Sequence, residues 1–67
     1  MKNLIRMMTL SEAATLREAM LSFEETGLQM VLIHDACGAF KGLATEGDIR
    51  RALLTGDGLA SPVLPHA

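Results

Sequence analysis

The chain has 67 residues, enough for one small domain, and a fold of that size hides only about 60% of the surface its unfolded form exposes. Hydrophobic residues make up 49% of it, yet there are two Phe and neither Trp nor Tyr, so the core must be aliphatic and the apolar surplus points to a partner surface. Six Lys and Arg against eight Asp and Glu give a net charge of −2, which lacks the basic field that nucleic-acid binding needs, and a single cysteine excludes an internal disulfide and fits a reducing compartment, the cytoplasm.

Residues 4–10 mix apolar and polar side chains without a period and read as a short edge strand or an irregular lead-in. Thr15 followed by Glu18 has the spacing of a capping box, which predicts a helix from Leu16. Leu16, Ala19, Met20 and Phe23 form its apolar stripe, and Gly27 stands where a left-handed C-cap is wanted, so the helix ends near Thr26. Residues 30–33, MVLI, read as a strand covered on both faces. The turn residues Asp35 and Gly38 then join it as a hairpin to a strand over 40–44. Thr45 caps a second helix with Asp48 three residues on, Ile49, Ala52 and Leu53 make its stripe, and Gly56 ends it. Residues 57–67, with Gly58, Pro62 and Pro65, read as tail or linker. The order is strand, helix, strand, strand, helix. Leu21 and Leu54 each lie five residues beyond a stripe position, about 140° around the helix, and look placed to meet other helices. No apolar run approaches the ~18 residues of a membrane span, and the N-terminus lacks the apolar stretch of a signal peptide.

The densest chemical signal is residues 42–51, GLATEGDIRR, where a strand passes into a helix. First-turn N–H groups and the helix dipole favour a phosphate there, Thr45 can add a hydrogen bond, and Gly47 lets a ligand approach the backbone. Asp48 can accept from a sugar diol, so the set describes a nucleotide site. The same residues also fit a plain helix start, Thr45 as N-cap and Asp48 as its dipole-matched partner, each worth ~0.5 to 2 kcal/mol.

Residues 30–54, with Gly42, Thr45 and Asp48 in a G-h-h-T/S-x-x-D pattern, resemble a cystathionine-β-synthase (CBS) domain motif. The TLREA run at 15–19 resembles that family's first helix, so the likeness covers about residues 3–63. The TEGDIRR run at 45–51 is similar to the TDGDIRR of CBS domains attached to bacterial sugar-phosphate nucleotidyltransferases, and close to that of sugar-phosphate isomerases; Glu46 departs from the usual Asp. The resemblance implies an α+β fold, a single βαββα motif over residues 1–58 with a small sheet and two helices packed on one face, and a tail or linker over 59–67 toward a second motif. It further implies a regulatory module without catalysis or cofactor. Two motifs, in one longer chain or in a homodimer, would pair and bind an adenosine nucleotide (AMP, ADP or ATP) in their cleft, controlling an attached or partner enzyme such as a nucleotidyltransferase. Thr45 would then meet phosphate and Asp48 the ribose, adenine would lie against Leu28, Gln29 and Met30, and Asn3 would help close the pocket. The alternative is a structural dimerisation module of the same fold without a ligand.

Other residues carry less. His34, His66 and Cys37 lack metal-ligand spacing, and no nucleophile and base stand in a recognisable arrangement, so neither a metal nor an enzyme is expected. Arg50 and Arg51 are ~100° apart on a helix and cannot both face one ligand.

Overall fold

The computed structural model describes residues 4–67, in the order α1 (Leu4–Met7), β1 (Thr9–Ser11), α2 (Leu16–Thr26), β2 (Met30–His34), β3 (Phe40–Thr45), α3 (Glu46–Leu54) and a closing 3-10 turn at Leu64–His66. The lead-in is therefore a helical turn followed by a three-residue strand. β1 pairs in parallel with β2, and β2 pairs antiparallel with β3, giving a three-stranded sheet in the order β1-β2-β3. Val31, Ile33 and Ala44 are fully buried and form one core with Leu16 and Ala19 of α2 and Ile49 and Ala52 of α3, so both helices pack on one face of the sheet.

β2 alternates between buried and half-buried residues, so only its helix-facing side is closed. This corrects the expectation of a strand covered on both faces: Met30, Leu32 and His34, on the other side, are only half-buried. The MVLI run is apolar throughout because one side fills the core and the other keeps an apolar surface.

Both main helices start as their sequences predict. Thr15 caps α2 by accepting from the Glu18 amide at 3.3 Å, while the Glu18 carboxylate accepts from the Thr15 amide at 3.3 Å. Gly27, at φ 74°, closes α2 by donating to the Phe23 carbonyl. The inner face of α2 differs from the predicted stripe: Leu16, Ala19 and Ser22 are buried, while Met20 is 41% exposed. Leu16 and Ala19 lie in the core with Phe23 packed against it, and the Ser22 hydroxyl donates to the Met7 carbonyl at 3.0 Å, tying α2 to α1.

Residues 59–67, read from sequence as tail or linker, pack as part of the fold. Val63 is fully buried in the core and its amide donates to the Ala14 carbonyl at 3.0 Å. The Ser61 and Leu59 carbonyls accept from the Leu16 and Arg17 amides at 2.9 and 3.0 Å, satisfying two otherwise orphaned first-turn donors of α2. At the far end, a Cβ on Gly42 would stand 3.0 Å from the Ala67 Cβ, so glycine makes room for the closing turn against β3.

Candidate functional site

β3 runs into α3 without a loop. Thr45 is the last strand residue, paired with Met30, and also the N-cap of α3, with extended backbone at φ −105° and ψ 167°. The Glu46 amide donates to the Gln29 carbonyl at 2.9 Å. Residues 29–30 and 45–46 thus meet at one corner of the sheet. Asn3 lies outside the described residues.

Asp48 is the electrostatic centre of this corner. Its Oδ2 accepts from the Thr45 amide at 2.9 Å and the Thr45 hydroxyl at 3.0 Å, and its own amide donates back to that hydroxyl oxygen at 3.3 Å. Arg51 Nη1 lies 3.3 Å from Oδ1. The Thr45 amide and then its hydroxyl outweigh partial burial and, with Arg51, hold the Asp48 carboxyl below the ordinary aspartate range. The helix start is therefore a closed capping box whose threonine proton is directed at Asp48. Arg50 turns the other way, to Glu46 Oε1 at 3.2 Å.

Gly47 has a different character. It is not one of the glycines with positive φ, and a Cβ added to it would meet Thr45 Oγ1 at 3.7 Å and Arg50 Nη2 at 3.8 Å, ordinary contacts. Neither backbone conformation nor packing within the chain calls for glycine there.

An open groove of about 960 Å³ lies between α2 and α3 and borders this corner through Leu28, Gln29 and Glu46, whereas Thr45, Gly47, Asp48 and Met30 are not in its lining. Seven large hydrophobic residues stand exposed among the described residues, and five of them, Met20, Leu21, Leu28, Leu54 and Leu59, line this groove. The two leucines singled out by their spacing are 52% (Leu21) and 80% (Leu54) exposed. Arg17, Arg50, Glu24 and Glu46 are the charged residues of the lining, two of each sign.

Asp35, His34 and His66 have local partners. Asp35 Oδ1 accepts from the Cys37 and Ala39 amides, each at 2.9 Å, which builds the hairpin turn and lowers the Asp35 pKa, with Ala39 the larger cause. His34 Nδ1 lies 2.8 Å from the Asp35 carbonyl oxygen, and His66 Nε2 lies 3.2 Å from Asp57 Oδ2. Among the described residues, no three His, Cys, Asp or Glu are grouped to hold a metal ion, and no helix is long and apolar enough to cross a membrane. Two features escaped the sequence reading: the Asp48–Arg51 pair, which its i,i+3 spacing could have signalled, and the structural part played by residues 59–67.

This architecture, a βαββα unit with a small mixed sheet and two helices on one face, is the CBS-motif fold. It is similar to a CBS domain protein from Pyrobaculum aerophilum complexed with AMP, at a TM-score of 0.82 and 20% identity, over 98% of this chain and 56% of that one. It is also similar to a Vibrio cholerae protein assigned to acetoin utilization (AcuB), at a TM-score of 0.81 and 24% identity, over 98% of this chain and 53% of the other. No family model matches the chain. Among curated proteins, the arabinose 5-phosphate isomerase GutQ of Escherichia coli K12 is 42% identical over 50 residues, 75% of this chain and 16% of the isomerase. The GutQ of Salmonella typhi is 41% identical over 51 residues, 76% of this chain and again 16% of the isomerase. The chain thus spans about a sixth of the length of the curated relatives it matches.

Proposed function

We propose that the chain is a non-catalytic regulatory module that binds an adenosine nucleotide at the β3–α3 corner, in the cleft formed with a second CBS motif of the same longer protein or of a second copy. The Gly47 geometry carries this reading. A glycine inside a helix costs about 0.5 to 1 kcal/mol relative to alanine, and here nothing within the chain requires it. What it leaves is backbone without a side chain beside a helix start and a carboxylate, the surroundings that a phosphate and a ribose would use. The AMP complexed with the Pyrobaculum aerophilum protein supports the choice of ligand class. In this assignment Asp48 accepts the ribose hydroxyls, the first turn of α3 with Thr45 faces the phosphate, and residues 28–30 wall the base. The Thr45 hydroxyl proton, directed at Asp48, must turn to reach a phosphate. The regulated enzyme acts on a sugar phosphate: the isomerase relatives support one such class, and the likeness of the TEGDIRR run supports the nucleotidyltransferases as another.

Calorimetric titration of AMP, ADP and ATP against the wild type and Asp48→Asn tests this. Asparagine keeps one acceptor oxygen for the Thr45 cap but replaces the other with a donor, so affinity should fall roughly tenfold or more with little loss of stability. No heat from any of the three at millimolar concentration would leave the second reading, a structural pairing module. That reading draws on the apolar groove between α2 and α3 and on a capping box that satisfies itself.

A further inference from the structure

Adjacent arginines on a helix diverge by about 100°, and the structure sends these two to different places. Arg51 turns to Asp48, whereas Arg50 reaches back one turn and donates through Nη1 to Glu46 Oε1 at 3.2 Å. The other terminal nitrogen of Arg50 has a different neighbour. A Cβ built on Gly47 would lie 3.8 Å from Arg50 Nη2 and 3.7 Å from Thr45 Oγ1. The space over the bare Gly47 Cα, at the start of α3, therefore has a guanidinium nitrogen and a hydroxyl within 4 Å. Both can donate to an anion there once the Thr45 hydroxyl turns from Asp48. The capping box stays closed through that turn, because its donors are the Thr45 and Asp48 amides. Charge makes a cation necessary at this place. The first turn of α3 carries two carboxylates, Glu46 and Asp48, which oppose the attraction of a helix start for phosphate.

We infer that Arg50 is the cation of the phosphate subsite and reaches the ligand through Nη2 across Gly47. This rests on the nucleotide reading above and deepens it: the phosphate lies on the Gly47–Arg50 side of α3, and the ribose on the Asp48 side. Arg51 stays with Asp48 and is not part of the phosphate subsite. The planar guanidinium can keep Nη1 on Glu46 while Nη2 donates to phosphate, so binding does not require the Glu46–Arg50 pair to break. Gly47 then has a definite use, since a side chain there would stand between Arg50 Nη2 and Thr45 Oγ1.

AMP and adenosine share base and ribose, so dividing one affinity by the other leaves the contribution of the phosphate. Both are titrated, with amide chemical shifts as the readout, into the wild-type chain, Arg50→Met and Arg51→Met. Each variant keeps an aliphatic stem and loses one positive charge from the same helix, so the pair separates placement from net charge. The Arg50 side chain is 65% exposed, and the AMP to adenosine ratio should fall about two- to fivefold in Arg50→Met, the range of an exposed ion pair. The fall in Arg51→Met should be smaller. Where adenosine is too weak to titrate, the AMP affinities of the two variants are compared directly. A ratio unchanged in Arg50→Met, or an equal fall in both variants, overturns the role of Arg50 while leaving nucleotide binding in place. Absence of AMP binding by the wild type overturns the nucleotide reading itself, and the role of Arg50 with it.

Discussion

Gly47→Ala separates a glycine kept for a ligand from one kept for the fold. The added Cβ would lie 3.7 Å from Thr45 Oγ1 and 3.8 Å from Arg50 Nη2, so it meets ordinary contact and no clash. Its φ lies outside the left-handed region, so alanine can adopt the same backbone. A glycine-to-alanine change under those conditions stabilises a protein by about 0.4 to 1 kcal/mol, chiefly by narrowing the unfolded ensemble. For a chain of this length that corresponds to a rise in Tm of roughly 2 to 8 °C. Gly27→Ala is the internal contrast: at φ +74° a side chain is strained although the space around it is open, so that variant should lose stability. Thermal and denaturant unfolding of the three proteins should therefore order them Gly47→Ala, wild type, Gly27→Ala. AMP affinity should move against stability at Gly47, because the new methyl occupies the approach to the helix start. A Gly47→Ala protein that is destabilised, or that is more stable and binds AMP as the wild type does, refutes the reasoning.

Three further outcomes follow from packing, surface and charge. Val63→Ala should cost roughly 2 kcal/mol, from the lost methyl groups and the cavity they leave, and a denaturant midpoint equal to wild type would show that residues 59–67 do not contribute to the core. Leu54→Asp, at a position 80% exposed, should change unfolding of the single chain by under ~0.5 kcal/mol yet reduce self-association in sedimentation at micromolar concentration; undiminished association would remove the α2–α3 groove as the pairing surface. Asp35 and Asp48 are both held below the ordinary aspartate value of 3.8, so each binds its proton more weakly folded than unfolded. Their stabilisation is complete above that value and is lost as pH falls below it, so the unfolding midpoint should hold down to about pH 5 and drop below about pH 4.

Both helix starts were legible because a capping box is written within four residues: Thr15 with Glu18, and Thr45 with Asp48. The hairpin was legible for the same reason, since Asp35 folds the turn with its own side chain. The inner face of α2 was harder. Leu16, Ala19 and Phe23 of the predicted stripe do pack in or against the core, but Met20 stays exposed while Ser22 is buried against α1, a contact between helices that no local pattern records. Residues 59–67 failed for a related reason. Their prolines signal irregular backbone, and irregular backbone can still be bonded: its carbonyls cap α2, far away in sequence. At the site, the residue types and their spacing were readable, whereas the occupancy of each Asp48 oxygen is visible only in three dimensions.

The most direct test of nucleotide binding is residue-resolved: AMP titrated into 15N-labelled protein and followed by amide chemical shifts. Binding at the β3–α3 corner predicts saturable shifts concentrated in residues 28–30 and 45–48, with little change in the hairpin at 35–38 or in the closing turn at 64–66. Shifts centred elsewhere, or none up to millimolar AMP, would contradict the assignment.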